Sequence, residues 1–203
     1  MMDEGIDLRI TELLAARLCH ELVSPIGAIN NGVELLQEDP DFAADAAGLI
    51  EQSAVQATRR LQFYRIAYGS TAPIPAEQGR KAALDLFAEG KVECDWPPSL
   101  APGVGAKLTC NFMLVAAEAL PRGGRLTLDG GPTNTLEILA AGDGARLPPH
   151  LPQALARALS ADALDARSVQ AAFTGALAHR AGLRPSIEAS ATGGFVFRLA
   201  SAG

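Results

Sequence analysis

Two stretches of three–four apolar spacing, separated by a turn, constrain this chain more than any other feature. Ala15, Leu18, Leu22, Pro25, Ile29, Gly32 and Leu36 form the first, and Ala47, Ile50, Ala54, Ala57, Leu61, Tyr64 and Tyr68 the second. Such spacing is a heptad seam, an apolar stripe that a helix buries against another helix. Between the seams lies EDPDF, residues 38 to 42, where Asp39-Pro40-Asp41 is a turn signal and Asp41 is placed to cap the second helix. Residues 6 to 69 are therefore expected to form an antiparallel helical hairpin. Two helices cannot enclose a core, but two hairpins about a two-fold axis can, as a four-helix bundle. The hairpin thus predicts a homodimer; the alternative is packing against the rest of its own chain.

The first helix carries the most reactive constellation, CHELVSPIGAINNGVELL, residues 19 to 36. His20 stands two residues from both Leu18 and Leu22, so at roughly 100° per residue its side chain projects away from the seam toward solvent. Glu21 supplies a carboxylate beside it. Pro25 has no N–H and crowds the preceding turn, so a bend or loosened turn is expected close to His20. A neutral imidazole presents a ring nitrogen as a nucleophile. His150, after Pro148-Pro149, and His179, before Gly182, lack such surroundings, and no role is assigned to them.

Composition narrows the setting. A formal net charge of −6 argues against general affinity for nucleic acid or an anionic membrane. Cys19, Cys94 and Cys110 are an odd set without paired spacing, which suggests a reducing cytosol and no zinc site. No apolar run approaches the ~20 residues a membrane span needs, and MMDEGID lacks a signal peptide's basic and apolar regions. The expectation is a soluble cytoplasmic protein.

The pattern changes after GSTAPIPAEQG, whose Gly, Ser and prolines read as a linker. Helices are expected over 76–88, 107–120, 149–160 and 167–181, with strands over 92–96, 125–129, 135–141, 184–189 and 194–199. This order fits a two-layer α/β sandwich. The fold class is thus α+β. The hairpin occupies residues 1–70, a linker 71–80 and the sandwich 81–203.

His20-Glu21-Leu22, Pro25, Ile29 and Glu34-Leu35-Leu36 resemble the H-box of sensor histidine kinases. There the histidine lies on the first helix of a dimerisation and phosphotransfer hairpin. The second half resembles the ATP-binding domain of the same proteins, with telling departures. In the segment similar to the N-box, Val115 stands where an asparagine would ligate Mg²⁺ and Glu118 where a lysine would pair with nucleotide. Valine offers no oxygen to a hard cation, and glutamate repels phosphate. Ala140 falls where the adenine-binding aspartate belongs, unless a one-residue shift offers Asp143. Gln170 to Gly175 holds one glycine where a phosphate-cradling lid needs several.

An intact histidine beside a degenerate nucleotide site is similar to the ChpT-type histidine phosphotransferases of alphaproteobacterial cell-cycle control. The resemblance implies a phosphorelay. His20 would accept phosphoryl from the receiver of a hybrid kinase, CckA-like, and pass it to CtrA-like and CpdR-like response regulators. No cofactor would be bound stably; Mg²⁺ would belong to the receiver, and ATP would not be used. Glu21 would bond or tune the imidazole. Ser24, one turn on, occupies a position where related kinases orient a hydrolytic water, but serine is short for that task. The docking strip would comprise Arg17, Ser24, Ile26 and Asn30 on the first helix and Gln56, Arg59, Arg60 and Phe63 on the second, with Ile26 and Phe63 as apolar anchors and the arginines facing the acidic receiver pocket. Two other readings stay open: an active ATP-dependent histidine kinase, and a non-enzymatic dimeric adaptor.

Overall fold

In the computed structural model, residues 4–38, 40–69, 72–98, 104–129 and 135–201 are described. Helix α1 spans Glu4–Glu38 and α2 Ala43–Tyr64, joined through a 3₁₀ turn at Pro40–Phe42. The two run antiparallel, as the seams require. Asp41 belongs to the 3₁₀ turn, and the position that directly precedes α2 is Phe42 rather than Asp41. Asp39 lies outside the described residues. Gly32 explains how closely the helices approach: a Cβ there would sit 2.6 Å from Ile50 Cγ1 and 3.2 Å from the Ala46 carbonyl.

The seams sit in a different rotation from the expected one. Pro25 and Gly32 are buried and turn toward α2. Their places on the outward stripe are taken by Ile26 and Val33, which are 50% and 40% exposed. The outward stripe of α1 is therefore Leu22, Ile26, Ile29, Val33 and Leu36, still at heptad spacing. On α2 the expected seam divides: Ala47, Ala54 and Leu61 are exposed, whereas Ile50 turns toward Gly32 of α1 and Tyr64 is buried.

Helix α2 continues into a π-helical turn, Arg65–Gly69. The remainder is α3 (Ala76–Phe87), β1 (Val92–Asp95), α4 (Ala106–Ala117), β2 (Gly124–Asp129), β3 (Leu136–Ala141), α5 (Leu151–Leu155), α6 (Val169–Arg180), β4 (Leu183–Ala189) and β5 (Phe195–Ser201). The strands form one sheet in the order β1-β2-β3-β5-β4, parallel between β1 and β2 and antiparallel elsewhere. Leu126, Leu128, Leu136, Ile138, Phe197 and Leu199 point into the core, where α3, α4 and α6 cover the sheet. The other face is solvated and carries the pairs Arg125–Glu93 and Arg198–Glu137. This is the expected α+β architecture. The helix expected over 149–160 is reduced to α5, because Arg157 turns to φ 59, a left-handed conformation that ends a helix.

The base of the hairpin and the sheet domain share one core. Ile10 and Leu14 of α1 belong to the same buried cluster as Leu164, and Arg9 Nη2 donates to the Leu164 carbonyl at 3.4 Å. Aromatic rings run across the joint: Phe87 meets Phe63 edge-on, Tyr64 stacks on Tyr68 at 5.3 Å, and Tyr68 meets Phe173 of α6. A buried polar chain closes it. Asn111 Nδ2 donates to the Ala67 carbonyl in the π turn at 2.7 Å, Gln170 Nε2 donates to Asn111 Oδ1 at 3.0 Å, and the Tyr68 hydroxyl donates to Gln170 Oε1 at 2.6 Å. Half of the alternative topology is thus realised: the hairpin's base packs on its own chain, while the stripe farther along does not.

Asn111→Leu leaves the Ala67 carbonyl without its side-chain donor in the core and takes from the Gln170 amide one of its two acceptors. It should cost roughly 1–3 kcal/mol, because a buried polar group that loses its partner keeps its full desolvation penalty. Thermal unfolding should show a Tm lower by about 2–4 °C per kcal/mol for a chain of this size.

Candidate functional site

His20 lies exposed on α1, as the spacing predicts. The backbone just beyond it is set by Pro25. In a regular helix the N–H of residue 25 would bond the carbonyl of residue 21. Proline has no N–H, so the Glu21 carbonyl needs another donor. Arg60 of α2 supplies it: its Nη1 donates to the Glu21 carbonyl at 2.7 Å and to Glu21 Oε2 at 3.2 Å. One guanidinium thus satisfies both the orphaned carbonyl and the carboxylate next to the histidine.

This pairing alters the expected roles of two residues. Glu21 was expected to bond the imidazole, but adjacent residues on a helix diverge by about 100°, and its carboxylate is turned to Arg60. Arg60 was expected on a free docking strip, and it is engaged inside the hairpin. Arg59 is engaged too, in a 2.9 Å ion pair between its Nη1 and Oε1 of Glu89, just past α3. Phe63 is 0% exposed and packs in the core, so it offers no docking surface. Its place in the heptad turns it inward, against Phe87. Ser24 and Asn30 are exposed and Gln56 is half-buried. Ile26 is exposed but lies about 120° round the helix from His20, on the apolar stripe. The exposed residues that share His20's face on α1 include Ala16, Val23, Ser24 and Asn31, within about 60° of it at 100° per residue.

Beside Glu21 a cavity of about 330 Å³ opens between hairpin and sheet domain, lined by Arg17, Glu21, Arg60, Tyr64, Glu89 and Glu118, among others. Arg17 Nε, Glu89 Oε2 and Glu118 Oε1 are buried there without a hydrogen-bond partner among the described residues. Burial pushes the Glu118 carboxyl above the usual carboxylate range; the nearby Arg17 guanidinium and His150 oppose this without cancelling it. Glu118 Oε2 lies 3.6 Å from His150 Nε2, an ion-pair distance too long for a good hydrogen bond. Burial likewise pushes the Tyr64 hydroxyl up to about 12, so it stays a neutral phenol here. Sequence reasoning assigned no role to His150. The Glu118–His150 contact joins α4 to the start of α5, elements far apart in sequence, and no local signal foretells it.

The positions that resemble a nucleotide site are occupied by packing. Val115 is 0% exposed in the core. Ala140 is buried in β3, and Asp143 stands in solvent 3.9 Å from Arg122. The segment 170–175, compared above to a phosphate-cradling lid, is not a loop. It lies inside α6, where Gln170 and Thr174 join the buried polar chain and Gly175 packs under α5. Among the described residues no cluster of His, Cys, Asp and Glu is arranged to hold a metal.

Comparison with known proteins bears on this geometry. Residues 77–193 match the family model described as the histidine phosphotransferase C-terminal domain. Over 193 residues the chain is 38% identical to the protein phosphotransferase ChpT of Brucella abortus, covering 91% of this chain and 92% of that one.

The chain belongs to the ChpT-type histidine phosphotransferases.

A solved structure described as a bacterial phosphotransferase superposes on it with a TM-score of 0.81 at 36% identity, over 98% of each chain. The likeness therefore extends through hairpin and sheet domain together. Phosphotransferase chemistry is the family's activity class, and His20 is the exposed imidazole on its hairpin. No helix among the described residues is long and apolar enough to cross a membrane.

The raised pKa of Glu118 gives a signed prediction. Its folded value lies above the unfolded one, so the folded state binds the extra proton. Stability from this group is fully present below the unfolded pKa and is lost as pH rises through the folded pKa. Glu118→Gln should remove that loss. Melting curves should show the wild type losing ground, relative to the variant, as pH climbs above the ordinary carboxylate range.

Proposed function

We propose that this phosphotransferase carries phosphoryl groups between receiver domains on His20. A ring nitrogen of His20 attacks the phosphorus of a receiver's aspartyl phosphate. The new N–P bond forms as the acyl P–O bond breaks, and the receiver's carboxylate leaves. The reverse step on a second receiver regenerates the imidazole. Such transfer is mostly positioning and charge neutralisation. The Mg²⁺ that neutralises the phosphoryl oxygens belongs to the receiver. The donor in this reading is the receiver of a CckA-like hybrid kinase, the acceptors are CtrA-like and CpdR-like regulators of the cell cycle, and the compartment is the cytoplasm.

One observation carries the reading: the nucleophile is exposed on a fixed turn, while the position of the kinase's metal-binding asparagine is Val115, wholly buried among apolar side chains. A chain with that core has an acceptor for phosphoryl and no group at that position to hold Mg²⁺–ATP. This weighs against the autokinase reading. The adaptor reading leaves the exposed His20 and its fixed turn without a use.

The apolar stripe supports a homodimer. Val33 and Leu36 on α1 and Leu61 on α2 remain exposed at heptad positions. The alanines Ala47 and Ala54 beside them allow close approach of a second hairpin. A four-helix bundle about a two-fold axis would bury this stripe and leave His20 outside it.

The test is a relay in two steps. The protein is mixed with a receiver phosphorylated on aspartate, freed of donor, and offered to a second, unphosphorylated receiver. Label should pass to this protein and then onward, and His20→Ala should abolish both steps. Label that reaches His20→Ala equally would overturn the assignment.

A further inference from the structure

The strongest unassigned feature is the arginine that takes the place of a missing backbone donor. We propose that Arg60 is a positioning residue for His20. By capping the carbonyl that Pro25 leaves orphaned, it fixes the α1 turn on which the imidazole is mounted. The proposal rests on the reading of His20 as the phosphoryl acceptor.

Glu21 follows His20 directly, so its peptide plane helps set where the imidazole points. Its carbonyl cannot receive the regular helical bond from residue 25, because that residue is proline. Without Arg60 the turn would open toward solvent or tilt to find another donor, as helices do at proline. Arg60 Nη1 holds the carbonyl at 2.7 Å, short enough for a charge-assisted bond. The same nitrogen reaches the Glu21 carboxylate at 3.2 Å, which turns that anion toward α2 and away from an incoming phosphoryl group. Half-buried itself, Arg60 is anchored on α2 one residue after Arg59, which is fixed in turn to Glu89. The position of α1 beyond His20 is thereby referred to α2 and, through it, to the sheet domain.

Lysine does not reproduce this arrangement. Its ammonium is a compact point charge on a flexible stem, whereas the planar guanidinium holds its donors in a fixed fork. A free docking arginine would be expected to tolerate the exchange far better. The geometry also makes Arg60 and Pro25 interdependent. Replacing Pro25 by alanine restores an N–H at position 25, which can bond the Glu21 carbonyl within the helix. Arg60 then has one task fewer.

The experiment uses the full chain and phosphoramidate, a small donor that needs no docking surface. The His20 nitrogen displaces ammonia from phosphorus, one N–P bond forming as another breaks, and the gain is read by intact mass. Wild type, Arg60→Met, Arg60→Lys, Pro25→Ala and Arg60→Met with Pro25→Ala are compared. Arg60→Met should react roughly tenfold more slowly, the equivalent of one charge-assisted hydrogen bond. Arg60→Lys should recover little. Adding Pro25→Ala to Arg60→Met should restore most of the rate, which general unfolding or loss of charge would not allow. Amide exchange is measured on the same proteins. The turn after Glu21 should exchange faster in Arg60→Met and regain protection in the double variant. An Arg60→Met rate equal to wild type overturns the proposal, as does a double variant no faster than Arg60→Met. Wild type that gains no phosphoryl on His20 overturns the relay reading instead, and the exchange data then still report on the capped turn. Should Arg60→Met fail to fold, Arg60→Gln, which keeps one donor, takes its place in the comparison.

Discussion

A carbonyl in the π-helical turn at the end of α2 accepts a hydrogen bond from the buried side chain of Asn111, and the relation between the two halves of the molecule depends on it. Asn111 is held by Gln170, and Gln170 by the hydroxyl of Tyr68, so the turn, α4 and α6 form one satisfied polar unit. Buried polar groups are costly when unpaired and specific when fully paired. The aromatic rings around this unit and the shared core at Ile10 and Leu14 add area to the same joint. The hairpin is therefore seated on the sheet domain at a defined angle.

The same joint suggests what has become of the second half. Val115 serves the core, and the 170–175 segment serves the joint from inside a helix. Glu118, where a nucleotide-binding cation would be expected, faces His150 and Arg17 across the gap between hairpin and sheet. Residues at three positions that resemble a nucleotide site thus contribute to packing or to ties between elements. The domain packs against the base of the hairpin, and His20 stands exposed on α1 outside that joint.

Much of this was legible from periodicity and punctuation. The antiparallel hairpin, the exposure of His20 and the sequence of strands and helices follow from spacing, proline and glycine. The rotation of the first seam did not. Pro25 and Gly32 match the apolar template as well as Ile26 and Val33 do, but a glycine allows two helices to touch, and that puts Gly32 on the inside. Phe63 and the two arginines looked like surface because charged and aromatic residues on a helix give no sign of what a distant element offers them. Phe87 ends α3 and Glu89 lies just past it, and their contacts with α2 exist only once the chain is folded. The need for a donor at the Glu21 carbonyl was implicit in the proline; that Arg60 provides it depends on how α2 is placed.

The central claim is that His20 takes phosphoryl from an aspartyl phosphate and that the sheet domain supplies none from nucleotide. The most direct measurement is the intact mass of the wild-type protein after incubation with Mg²⁺–ATP alone, beside a sample given a phosphorylated receiver. The account predicts one added phosphoryl group from the receiver and none from ATP. A phosphoryl group on His20 gained from ATP alone would contradict it and show a working kinase site.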